Sequence, residues 1–418
     1  MHPIKVFLIK AQWRTLKLFP PLFRRAVAAL KLDVEEDPSM YIPGGFHPVS
    51  IGDTFHNNQY TVLRKLGYGQ YSTVWLARDE IRERYVTLKV LRADSYGGSH
   101  DIFEVEMHSK ICQISKESSH QGRDHVLHYL DTFKHKGPNG EHVCLVFDVL
   151  GHHLNFQKAH FENRKLPAKC VKSIAKQLLL GLDFLHRECN IIHTDLKPTN
   201  ILVQLENPDQ VVSQYLSEVA PRMTDAHTPL REVIKTPIMS ETNQAHVRII
   251  DFGVSSWGDN HLSEHIQSPF LRAPEVVIGV PWNSAVDIWS LGCILVELLQ
   301  GIVLFPCQGC KRGKWTAEDD HLGKITELLG PIPLSFIRQG SRASHFFDEH
   351  GKLVRVTEMP PTSLDRMLNG ATKPFMKPED MSDDEIGLFI DFIKGMLTID
   401  PGSRKSAAEL LHHEWLQS

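Results

Sequence analysis

Cysteine is scarce in this chain and oddly numbered, with seven thiols at positions 112, 144, 170, 189, 293, 307 and 310. An odd, scattered set in apolar context excludes a disulfide framework and points to reduced thiols in an intracellular compartment. Cys307 and Cys310 form one CxxC, but no second pair follows at zinc spacing, and a structural zinc needs a full tetrahedral ligand set. The pair reads as two ordinary thiols beside a turn. A clean membrane-length apolar run is also missing. The longest candidate, Val286 to Phe305, contains Asp287, Ser290, Glu297 and Gln300, and charge at membrane depth is costly. It reads as a buried core helix, and no membrane span is expected. Residues 1–32 lack acids and serine while holding seven Lys or Arg. Missing serine weakens an organelle transit peptide against a basic interaction arm or a solvated tail. The whole chain carries a net charge of −4, so the part beyond residue 32 is seven units more negative. That balance argues against direct nucleic-acid binding and favours a basic partner.

What is present is ordinary globular material: 418 residues, 42% hydrophobic and 23% charged, enough for two packed units plus extensions. From Tyr60 to Leu91, β-branched and aromatic residues alternate with polar ones between Gly or charged turns, which predicts three strands. A helical stretch follows at Ile102 to Cys112, then two strands around the turn Gly137-Pro138-Asn139-Gly140. After Gly151 the pattern turns helical: Val171, Ile174, Ala175, Leu178, Leu182 and Leu185 share one face. Further helices are predicted at 283–300, 317–329, 383–397 and 406–412. Residues 204–246 hold four prolines among many polar residues and read as an insertion, longer than compact domains usually tolerate. The expected fold class is α+β: a β-rich lobe at 60–150 and a helical lobe at 151–416, behind an N-terminal extension at 1–54.

Gly67-Tyr68-Gly69-Gln70-Tyr71-Ser72 lies between two predicted strands, where glycines let a backbone approach phosphates. Val86-Thr87-Leu88-Lys89 follows on the third strand, placing a lysine where it would meet α- and β-phosphates. An acid on the next helix must hold that ammonium. Glu106, just before the apolar spacing of Met107 and Ile111, is the expected partner in preference to Glu104. In the stretch Ile191 to Leu202, Asp195 can accept a hydroxyl proton, Lys197 can neutralise a γ-phosphate and Asn200 can ligate magnesium. Asp251-Phe252-Gly253 adds a second metal carboxylate. Phosphoryl transfer asks the protein for positioning and charge neutralisation, which this set supplies.

Ala273-Pro274-Glu275, Asp287-Ile288-Trp289-Ser290-Leu291-Gly292 and Asp400-Pro401-Gly402-Ser403-Arg404 complete an order that resembles eukaryotic protein kinases from about Tyr60 to Leu416. Within them the chain is similar to the SR-protein kinase family. The resemblance rests on Leu66 to Leu76 with Ser72 at the third glycine position, the lead-in Gly44-Gly45-Phe46-His47-Pro48-Val49, the hinge Val146 to Leu154, and His193-Thr194-Asp195. It implies a bilobal kinase fold binding ATP and Mg2+. ATP would lie against Leu66, Gly67, Tyr68, Gly69, Gln70, Ser72, Val74, Lys89, Phe147, Asp148 and Leu150. Substrates would be serines of Arg-Ser-rich proteins, whose arginines would dock on Asp320 and Glu327, seven residues apart on one helix face. A monomer acting in cytoplasm and nucleus is likewise implied. Thr87, Thr199 and Phe252 depart from the residues usual at their positions. A different basic protein substrate and a pseudokinase scaffold are the alternative readings.

Thr194 stands where most kinases carry an arginine that needs an activation-loop phosphate as its partner. Residues 251–275 contain no Thr or Tyr, only Ser255, Ser256, Ser263 and Ser268. Activity without upstream phosphorylation is the expectation.

Overall fold

The computed structural model describes residues 35–96, 102–224, 228–234, 236–237, 245–310, 314–356, 362–372 and 375–417. The basic segment 1–32 lies outside them. Strands β1 (Thr54–Phe55), β2 (Tyr60–Tyr68), β3 (Ser72–Asp79), β4 (Arg84–Leu91), β5 (Tyr129–Gly137) and β6 (Gly140–Asp148) form one antiparallel sheet in the order β1-β2-β3-β4-β6-β5. The period-two pleat decides what each face carries. On β4, Val86, Leu88 and Val90 bury against Tyr60, Val62 and Trp75. Thr87 and Lys89, between them, therefore face the opposite side, toward the second lobe. Helix α1 (Glu104–Glu117) packs on that side.

The second half is helical, so the chain has the expected bilobal α+β architecture. Helix α2 (Ala168–Asp183) buries Val171, Ile174, Ala175, Leu178 and Leu182, the face predicted from sequence, and runs into a π-turn at Phe184–Glu188. Helix α3 (Pro208–Glu218) belongs to the insertion. Helix α4 (Ala285–Gln300) is buried on every side, which is why its sequence is apolar all round. Its two acids have internal partners: Asp287 accepts from His186 at 2.8 Å, and Glu297 pairs with Lys158. Helix α5 (Ala317–Leu329) opens with a Thr316–Asp319 capping box, and helix α6 (Asp383–Met396) is capped by Ser382. No helix among the described residues is long and apolar enough to cross a membrane. All seven cysteines are free.

The Glu275–Arg404 pair, expected from the kinase resemblance, is a bidentate contact at 2.7 and 3.0 Å between fully buried side chains. Arg404 also donates to the Ala285 and Ile399 carbonyls, so the desolvated fork is well satisfied.

The insertion is more structured than its proline content suggests. Pro208 occupies the first turn of α3, where its missing N–H costs nothing. Val212 and Tyr215 bury with Leu76, Val149, Leu205 and Ile234 against the hinge, and Asp209 accepts the Tyr85 backbone N–H at 2.7 Å. The insertion thereby braces the junction between the lobes.

Candidate active site

Between the lobes lies a cleft of about 500 Å³. Leu66, Tyr68, Gly69, Gln70, Ser72 and Val74 form its roof, and Phe147, Asp148 and Leu150 its back edge. Gly67 is the one predicted nucleotide-site residue that does not line the cleft wall; its backbone pairs with Val74 across the β2–β3 turn. Thr87 pairs with Phe147 in the β4–β6 ladder and lines the cleft beside the hinge.

Lys89 reaches into the cleft and donates to Glu104 at 2.5 Å and to Asp251 at 3.0 Å. The partner is Glu104, not Glu106, which corrects the sequence expectation. Helix α1 begins at Glu104, and its buried residues are Glu104, Met107, His108 and Ile111, a spacing of i, i+3, i+4 and i+7. Glu106 points elsewhere, accepting from the Tyr96 hydroxyl at 3.2 Å. Burial alone would lower the Lys89 pKa, but Asp251 and then Glu104 hold it above the usual lysine range. Burial pushes the Glu104 carboxyl up. The Lys89 ammonium, first among several cations, pulls Asp251 down to about 2, so Asp251 is a carboxylate at neutral pH. Behind this triad, the rings of His108 and His193 each meet Phe252 edge-on, at centroid separations of 5.1 and 5.3 Å, joining the two lobes. Burial above all drives His108 down to about 3, so it packs as a neutral ring.

The loop 193–200 presents Asp195 and Lys197 on the opposite wall, with Asn200 buried behind them. Lys197 pairs with Asp195, and the Asn200 amide donates to the Asp195 carbonyl at 3.0 Å. Asp287 of α4 sets the loop, accepting the backbone N–H groups of His193 at 2.8 Å and Thr194 at 2.9 Å. Burial opposes ionisation of Asp287, but His186 and His193 outweigh it and keep its pKa low. Thr194 and Asp251 both sit at positive φ, 65° and 67°. That is strained backbone for non-glycine residues, held by the surrounding bonds. Two short ladders flank the loop: β7 (Ile191–Ile192) with β10 (Ser256–Trp257), and β8 (Ile201–Val203) with β9 (Val247–Ile249).

Two contacts near this loop are not visible in the motifs. Ser268 donates to the Asp195 carboxylate at 3.0 Å. Gln267 ties several segments together: its N–H donates to the Thr194 carbonyl, and its amide bonds Val286, Ser290 and the Ala273 N–H. Thr194 itself donates to the Val254 carbonyl at 2.7 Å.

Asn200 and Asp251 offer an amide oxygen and a carboxylate. This all-oxygen donor set suits Mg2+, which prefers a few protein oxygens together with phosphate and water. On α5, Asp320 accepts the Gln308 N–H at 3.1 Å and Glu327 pairs with Lys324 at 2.6 Å. The neighbouring acids already hold arginines of this chain: Glu318 pairs with Arg342 at 2.6 Å, and Asp319 with Arg355 at 2.7 Å.

A protein kinase domain model matches residues 60–416. The chain is 34% identical over 411 residues to the serine/threonine-protein kinase SRPK of Physarum polycephalum, covering 91% of each chain. It is 30% identical over 474 residues to the protein kinase dsk1 of Schizosaccharomyces pombe, covering 92% of this chain and 85% of that one. With the human SRSF protein kinase 3 it shares 27% over 526 residues, 91% of this chain and 90% of the relative. The fold and the cleft define a protein serine/threonine kinase. More particularly, the chain belongs to the SR-protein kinase family.

Proposed function

We propose that this kinase transfers the γ-phosphoryl group of ATP to serines of Arg-Ser-rich proteins, and does so without phosphorylation of its activation loop. The observation that carries the reading is the assembly of Lys89, Glu104, Asp251 and Asp195 around one cleft, in a chain of this family. Mg2+, when bound by Asn200 and Asp251, would neutralise phosphate oxygens. Lys89, fixed between two carboxylates, orients the phosphates. Asp195 accepts the serine proton, and Lys197 offsets charge on the transferred group. This division of labour among the site residues is part of the proposal, as are the lobe limits 60–150 and 151–416.

Support for phosphate-free activity is that the loop is held by its own bonds. Thr194 meets Val254, Gln267 clamps Thr194 to α4, and Ser255 and Ser256 are buried. No arginine precedes Asp195 to demand an anionic partner. Support for arginine-rich substrates is the acidic start of α5, where this chain's own guanidinium groups already bind. Action in cytoplasm and nucleus, as a monomer, accords with that substrate class.

The test is phosphate transfer to two peptides of equal charge, one of alternating Arg-Ser dipeptides, the other with the same serines among scattered lysines. The Arg-Ser peptide should be preferred at least tenfold, as expected if planar forks rather than point charges are read. The preference should collapse in the double variant Asp320→Ala, Glu327→Ala. Equal transfer to both peptides would remove the substrate assignment.

A further inference from the structure

We propose that Arg231, which belongs to the insertion within the second lobe, is a nucleotide-positioning residue whose guanidinium binds the ribose hydroxyls of ATP. The inference deepens the ATP-dependent reading above and rests on it. Its first ground is placement. The segment around Arg231 runs beside β2: the Glu232 N–H donates to the Lys65 carbonyl at 2.8 Å, and the Arg231 N–H donates to Glu35 at 2.8 Å. Glu232 anchors it from within, buried to 2% exposure, accepting from Tyr215 at 2.9 Å and the Arg222 N–H at 2.7 Å and pairing with Arg64. The backbone at 231 is therefore pinned, and its side chain lines the cleft.

The second ground is what surrounds the guanidinium. Its Nε lies 3.7 Å from the point where a side chain on Gly67 would begin, so the arginine covers the bare backbone of the first loop glycine. The same Nε is buried and has no hydrogen-bond partner among the described residues. A buried donor left unpaired is costly, and a ligand that pairs it recovers that cost. His153 lines the same stretch of the cleft. Its Nδ1 accepts the Phe156 N–H at 3.1 Å, which leaves Nε2 as the ring nitrogen not engaged in that contact. Burial, and next the Arg231 charge, push His153 down to about 4, so the two side chains do not repel at neutral pH.

The third ground is position along the nucleotide. Lys89, Asp251 and Lys197 fix the phosphate end, and Asp148 to Leu150 fix the adenine end. His153, three residues beyond Leu150, and Arg231 both line the cleft, and this is the stretch assigned to the sugar. Two vicinal hydroxyls match the paired N–H groups of a guanidinium fork. The insertion would thus complete the nucleotide site as well as brace the hinge.

The experiment measures binding of ATP and of 2′,3′-dideoxy-ATP to the full chain, for wild type, Arg231→Ala and Arg231→Met. The methionine keeps the aliphatic stem and removes the fork, which guards against loss of packing. Arg231→Met should weaken ATP roughly tenfold, as for a hydrogen bond to a charged group, and leave dideoxy-ATP within twofold of wild type. Arg231→Ala should follow the same pattern with an unchanged melting temperature. Wild-type affinity for ATP in both variants, or equal weakening of both nucleotides, would overturn the assignment to ribose. Failure of wild type to bind ATP at all would instead overturn the ATP-dependent reading.

Discussion

Asp195→Asn is expected to lower turnover by about three orders of magnitude while changing ATP affinity less than about twofold. The carboxylate sits on the loop wall opposite Lys89, held by Lys197 and by the Ser268 hydroxyl at 3.0 Å. Asparagine preserves size and can still accept from both donors, so loop geometry should survive. What it loses is the capacity to accept the serine proton in the transition state. Single-turnover transfer and equilibrium nucleotide binding on the same preparation separate the two effects. Equal loss of both would mean that Asp195 holds the nucleotide or the fold rather than the reacting hydroxyl.

Glu104→Gln is expected to reduce kcat/KM roughly a hundredfold, whereas Glu106→Gln should stay within about twofold of wild type. Glu104 is 1% exposed and its contact with Lys89 is 2.5 Å long. Removing one partner of a buried ion pair costs about 3–5 kcal/mol when the other charge is stranded. Lys89 keeps Asp251 at 3.0 Å, so a loss of roughly 3 kcal/mol, about two decades in rate, is the appropriate figure. Glutamine retains one hydrogen bond but not the charge, and the lysine should then swing toward Asp251 and away from the phosphates. Glu106 contacts Tyr96 at the surface, and no such effect follows from its loss. A large defect in Glu106→Gln with a mild one in Glu104→Gln would reverse the assignment.

The same pair of acids shows where the sequence stops being sufficient. The kinase motifs could be read because phosphoryl transfer needs particular residue types at particular spacings, and those survive as text: His193 to Asn200, Asp251 to Gly253, Ala273 to Glu275. Choosing between two glutamates two positions apart needs the phase of a helix. Glu106 is preferred in the motif reading because it precedes the apolar spacing of Met107 and Ile111, yet adjacency along the chain does not give the face, and those two share theirs with Glu104. The signal was present in Met107, His108 and Ile111, but a histidine does not look like a core residue until its neighbours Phe147 and Phe252 are seen.

The insertion was opaque for a related reason. Its prolines read as loop, although Pro208 starts a helix and Val212 and Tyr215 mark its buried face. That the face meets Leu76 and Val149 is a tertiary fact with no local trace. Gln267, and the part Ser268 plays beyond being a loop serine, are not legible because single polar residues in a loop carry no pattern. Their meaning comes from Thr194, Ser290 and Asp195, which the fold brings to them.

The most direct test uses the full chain prepared with phosphatase, so that mass spectrometry finds Ser255, Ser256, Ser263 and Ser268 unmodified. It is mixed with Mg-ATP and the Arg-Ser peptide, and phosphoserine is followed from the first seconds. The expected result is linear product formation without a lag, unchanged by adding an upstream kinase. Transfer that begins only after a loop serine is phosphorylated, or no transfer at all, would contradict it.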